Sequence, residues 1–150
     1  MNLKNYTSTV SVISSINKIE HRLAQAGAIY ITKSYDEDRP GRPIGIIFQI
    51  KVNDIPILFK IPAKADKVFD YFKKQRKRVP TKIQLEGIRK QSDQTAWKIL
   101  ADWIDIQVSL IEIDQVEIIE IFLPYYYSGK EDKTLFEIYK NNSYQKLLSE

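Results

Sequence analysis

The chain has 150 residues, the length of one domain and enough to bury a core without disulfide or metal staples. Its composition, 43% apolar and 28% charged with no cysteine, excludes the disordered and disulfide-framed classes and removes thiol catalysis and cysteine-held zinc. Net charge is only +4 but unevenly placed: residues 1–59 carry seven Lys/Arg against five Asp/Glu, residues 60–98 twelve against four, and residues 99–150 four against ten.

The opening MNLKNYTSTV lacks the apolar core of a signal peptide, and no apolar run approaches the roughly 18 residues that span a bilayer. A cytoplasmic protein without a membrane partner is the expectation. Next, YTSTVSV alternates β-branched and polar residues and predicts a strand. Ser14 is then placed to cap a helix with Ile16, Ile19, Leu23 and Ala26 on one face, which Gly27 ends. Ile29 and Ile31 belong to a second strand, running into YDEDRPGRP, expected to be the most flexible stretch of the chain.

From Ile44 to Val52 the apolar residues alternate strictly, and they do so again from Ile55 to Ile61. Asn53 and Asp54 between them tolerate positive φ, which predicts a hairpin. Residues 65–78 read as a helix burying Ala65, Val68, Phe69 and Phe72, with KKQRKR as its second half. TKIQLEGIRKQ, after Pro80, takes no assignment. A long helix follows from about Ser92 to Ile113 with two apolar stripes, one through Trp97, Leu100, Ile104, Val108 and Ile111, the other through Ile99, Trp103, Ile106, Leu110 and Ile113. Both tryptophans are expected in the core, and covering both stripes requires later helices, the sheet or a second copy of the chain, so a homo-oligomer is one expectation. VEIIEIFLPYYY predicts a further helix, and Thr134 with Glu137 offers a capping box for the last one.

The order β-α-β-β-β-α followed by helices predicts an α+β fold with an antiparallel sheet of about four strands. A single domain over 1–150 is expected, with a sheet part over 1–78 and a helical part over 92–150 packed on it.

No reaction is named by any motif. His21 is the only histidine and lies off the apolar stripe of its helix, which suits a surface position better than a zinc site or a catalytic triad. Neither a dinucleotide nor a Walker glycine loop occurs, and no serine sits on a nucleophile elbow. No cofactor and no catalytic residue is expected. The weakest of three functional readings is a magnesium enzyme using Asp36, Asp38, Asp102 or Asp105.

The basic run carries more. Lys73, Lys74, Arg76, Lys77 and Arg78 occupy six consecutive positions. Helix-dipole compensation accounts for two or three cations in a last turn, but not for the excess of eight over residues 60–98. These five, helped by Arg39, Arg42, Lys60 and Lys64, are the expected contacts to a phosphate backbone. The leading expectation is therefore a non-enzymatic nucleic-acid-binding protein of low specificity, directed at single strands. The alternative is an interaction protein that disables a host protein or sequesters a nucleotide messenger.

STVSVISSINKIEHRLAQAGA, IGIIFQI, IPILFKIPA, AWKILADWIDIQVSLIE, IFLPYY and KTLFEIY, in this order, resemble a group of small uncharacterised proteins of phages and integrated mobile elements. AW-x5-W together with FLPY is the most specific part. The resemblance implies context, not a residue role: nucleic-acid binding, replication and packaging, or the countering of host defence.

Overall fold

The computed structural model describes residues 2–149. It contains helix α1 (Val12–Gln25), strands β1 (Ala28–Tyr35), β2 (Pro43–Val52) and β3 (Ile55–Pro62), and helices α2 (Ala65–Lys74) and α3 (Lys82–Glu112). Three short helices follow, α4 (Ile118–Phe122), α5 (Leu135–Asn141) and α6 (Gln145–Leu148), with a 3-10 turn over Leu123–Tyr125. The class is α+β and the sheet antiparallel, in the order β1-β2-β3. The chain forms two compact units, Met1–Arg22 with Ala63–Ile106, and Leu23–Pro62 with Gln107–Glu150.

The sheet has three strands, where about four are expected. YTSTVSV is not a strand, because side chains of α3 take its backbone groups before a ladder can. Gln91 Nε2 donates to the carbonyls of Tyr6 (3.1 Å) and Ser8 (3.0 Å), and Thr95 Oγ1 donates to that of Asn5 (2.8 Å). Strand propensity yields to these tertiary bonds. The start of α1 moves with it: Ser11 Oγ, not Ser14, accepts the Ser14 N–H at 3.1 Å and acts as the cap.

In the second unit the alternation in the two hairpin strands is realised. Ile46, Phe48 and Ile50 of β2 and Phe59 and Ile61 of β3 are buried, with Phe48 opposite Phe59 and Ile46 opposite Ile61. Asn53 and Asp54 have φ of 50° and 64°, the twist a two-residue hairpin needs. Phe122 of α4 closes on Phe48 and Phe59 with ring centroids 5.3 and 5.7 Å away. Ile29 falls at a register shift between Ala28 and Tyr30 and is exposed, whereas Ile31 pairs with Phe48. At Gly45 an added Cβ would lie 2.8 Å from Ser34 Oγ and 3.1 Å from the Ile61 carbonyl, so the centre of the sheet requires a residue without a side chain there.

VEIIEIFLPYYY is only partly helical. Pro124 tightens the chain into the 3-10 turn, and Tyr127 then donates its N–H to the Leu58 carbonyl at 2.9 Å while Tyr126 bridges Phe59. The tyrosine triplet thus covers the outer edge of β3. The Thr134–Glu137 capping box is formed, with bonds of 3.0 and 3.3 Å.

In the first unit α3 begins ten residues before the expected start. Thr81 and Gln84 exchange bonds, Thr81 N–H to Gln84 Oε1 at 2.9 Å and Gln84 N–H to Thr81 Oγ1 at 3.2 Å, a capping box that turns the unassigned stretch into helix. The stripe of Trp97, Leu100, Ile104 and Val108 is buried. On the other stripe Trp103 is only half-buried and Ile106 and Ile113 are exposed, so one of the two expected core tryptophans is a boundary residue. Among the described residues no helix is long and apolar enough to cross a membrane.

Candidate nucleic-acid interface

The helix carrying the basic run ends sooner than its sequence suggests. Beyond Phe72, the next positions that could face the core are Gln75 and Arg76, so no apolar anchor draws the helix on, and each further turn would stack cations on cations. The last turn tightens instead, with Gln75 N–H on the Phe72 carbonyl (3.3 Å) and Arg76 N–H on that of Lys73 (3.1 Å). Only Lys73 and Lys74 therefore sit on α2, and Arg76, Lys77 and Arg78 lie in the connection to α3 rather than around a helix. All five are exposed, as is Lys64 before α2.

Packing beneath this run is aromatic. Phe69, Phe72 and Ile88 form a buried cluster flanked by Leu3, Val68, Tyr71 and Leu85. Lys73 Nζ lies 5.0 Å and the Arg89 guanidinium 4.3 Å from the centre of the Phe69 ring. One ring thus anchors cations from both α2 and α3.

The charge of the first unit is sorted. It holds fourteen Lys/Arg against seven Asp/Glu, but residues 64–90 alone hold ten against three, leaving four against four elsewhere. Those four cations all have partners: Lys98 and Lys4 lie 2.7 and 3.6 Å from Asp102, and Arg22 and Lys18 lie 2.8 and 3.5 Å from Asp105. By contrast, no ion pair is formed by Lys73, Lys74, Arg76, Lys77 or Arg78 among the described residues. The second unit is acidic, with nine Lys/Arg against twelve Asp/Glu.

Arg39, Arg42 and Lys60 belong to that second unit. Arg42 Nη1 lies 2.8 Å from Asp36 Oδ2, and the Asp36 N–H bonds the Arg42 carbonyl at 2.9 Å. The stretch expected to be the most flexible is therefore a closed loop with internal hydrogen bonds. The Asp38 N–H and the Arg42 guanidinium hold the Asp36 carboxyl below its ordinary value. Lys60 lies 3.5 Å from Asp132 and 5.2 Å from the centre of the Tyr127 ring. Tyr127 donates to Asp132 at 2.8 Å, a bond that pushes the phenol up and the carboxyl down. Arg42 and Lys60 already neutralise acids, which leaves Arg39 as the exposed cation of the three.

Of the acids weighed for magnesium, Asp36, Asp102 and Asp105 each face cations. No group of three or more His, Asp or Glu able to hold a metal occurs among the described residues. His21 is exposed on α1.

A groove of about 500 Å³ opens beside the run, between Phe72, Gln75 and Arg76 on one side and Gln84, Ile88 and Gln91 of α3 on the other. Tyr6 lines it too, and so does Gly87, where an added Cβ would meet nothing within 4 Å. A second groove of about 350 Å³ shares Gly87 and Gln91 and adds Thr9, Lys90 and Gln94. Phe72 and Arg76 are named from the sequence for packing and for phosphate contact, but the groove residues of α3 are not. A signal was present: Gln84, Gly87, Gln91 and Gln94 are spaced three, four and three apart, one face of a helix made of amides and a missing side chain. Without the Thr81 start, that face was invisible.

Compared with protein-family models, with curated proteins and with solved structures, the chain matches none, so the case for a candidate interface rests on geometry and charge alone.

Proposed function

We propose that the chain binds single-stranded nucleic acid, with little sequence preference, through the end of α2, the connection after it and the first turns of α3. Lys73, Lys74, Arg76, Lys77 and Arg78 contact phosphates, and Lys64, at the opposite end of α2, adds a further contact. The observation that carries the reading is the sorting of charge within the first unit. Outside residues 64–90 its cations balance its acids, whereas the surplus sits on exposed side chains without acidic partners. Apart from Lys73 and Arg89, which lie over the Phe69 ring, these cations pair with nothing within the unit, and such a surplus attracts a polyanion by releasing that polymer's counterions. A place in a phage or mobile element, where single strands arise during replication and packaging, is part of the same proposal.

Reversing charge at Lys74, Arg76 and Lys77 together tests it. All three are exposed, so the variant should fold with an unchanged circular dichroism spectrum. Its affinity for a labelled oligonucleotide at low salt should fall by about tenfold or more. Retention of full affinity, or a parent protein that binds no strand at low salt, ends the reading. A protein partner captured from nuclease-treated host lysate, lost with the same three substitutions while no strand is bound, would favour the sequestering alternative.

A further inference from the structure

We infer that the groove beside the basic run is a nucleobase subsite, taking one unstacked base of the strand whose phosphates lie on the run; this rests on the proposed function and adds to it what the groove recognises. Its volume, about 500 Å³, falls within the roughly 300–1,000 Å³ of small-ligand sites. Its walls suit a planar heterocycle: the Tyr6 ring, 42% exposed, offers a stacking face, and Phe72 supplies an apolar back.

Amides provide the polar edge. Gln91 Nε2 is held by the Tyr6 and Ser8 carbonyls and by Thr95 Oγ1, at 3.0 to 3.2 Å. The two carbonyls can only accept, so they fix which end of that amide is nitrogen and leave its oxygen as an acceptor. Gln75 and, in the adjoining groove, Gln94 add amides that can donate and accept. Such groups pair with any base edge, which fits low specificity.

Charge joins base to backbone. Arg76 belongs both to the exposed run and to the groove lining, and Lys90 lines the adjoining groove. A strand whose phosphates lie on Lys74, Arg76 and Lys77 therefore has a base within reach of the opening. A duplex keeps its bases stacked, whereas a single strand turns one out at little cost. Gly87 belongs to the same logic. Glycine within a helix is destabilising relative to alanine, and here it leaves open the space that a side chain would fill.

The experiment uses the full chain, a short oligothymidine and an abasic strand of equal length. The parent should bind the base-bearing strand about tenfold more tightly, as one stacked base provides. Gly87→Leu adds a side chain to the groove lining and improves helix propensity. It should bind both strands equally, at the parent's abasic affinity and with the parent's salt dependence. Tyr6→Ala is the second variant and should lower affinity for the base-bearing strand alone. Equal binding of both strands by the parent, or undiminished discrimination in both variants, overturns the subsite while leaving the phosphate reading intact. Failure of the parent to bind either strand overturns both.

Discussion

Asp102 shows how the first unit spends its acids. Partial burial pushes its carboxyl up, but hydrogen bonds from Lys98 Nζ and Asn5 Nδ2, at 2.7 and 2.9 Å, and the charges of Lys98 and Lys4 outweigh that, and the carboxyl is held below its ordinary 3.8. A carboxyl lowered by folding adds stability that is fully present above its unfolded value and disappears as pH falls through its folded value. The contribution of Asp102 is therefore whole at neutral pH and is lost below pH 3.8. Asp102→Asn should be less stable than the parent at neutral pH, and the difference should narrow below pH 3.8, as followed by thermal melting across that range. A constant difference at every pH would show that shape and not charge matters here. Asn5 has a second duty, since its backbone is left-handed, with φ of 60°, and its carbonyl accepts from Thr95. One residue thus fixes the N-terminal segment at two points of α3.

At the level of elements, the start of α3 is set by two side chains. Thr81→Ala removes the acceptor for the Gln84 N–H and should cost about 1 kcal/mol, seen as faster hydrogen exchange at Gln84 and Leu85 while amides beyond Ser92 keep their protection. If protection is unchanged at Gln84, the box does not set the helix start. How legible each element was follows from how local its cause is. The β2–β3 hairpin was legible because two alternating runs and Asn53–Asp54 state it within twenty residues, and Thr134 with Glu137 stated α5 within four. YTSTVSV was misread because Gln91 and Thr95, more than eighty residues on, decide where its carbonyls go. The Thr81 box was present in the sequence, in the stretch TKIQLEGIRKQ that took no assignment. For the candidate site, the number of cations was legible and their placement was not, since the end of α2 depends on the absence of an anchor after Phe72. Tyr6 could not be assigned to a groove before its segment had been placed against α3.

For the whole molecule, the net +4 conceals a unit with a surplus of seven and a unit with a deficit of three. Binding should therefore answer to the local surplus. Single strands lose affinity with a log–log salt slope of about −0.7 for each phosphate neutralised, so five engaged cations give a slope of about −3.5. Charge reversal at Lys74, Arg76 and Lys77 should flatten it to about −1.4, the share of Lys73 and Arg78. Affinities titrated from about 50 to 200 mM salt measure both; a parent slope near zero would mean that the run holds no phosphates. The connection that bears three of those cations has another property. Its two ends are fixed from outside, by the tightened last turn of α2 and by the Thr81 box, and Val79 within it is 94% exposed. Nothing in the packed interior depends on which side chains stand at 76–79 except at the rim of the groove. The segment behaves as an exchangeable cassette: its charge can be raised, lowered or inverted by single substitutions with little effect on folding. If the run is the binding surface, its partner can be changed there without redesign of the fold that carries it.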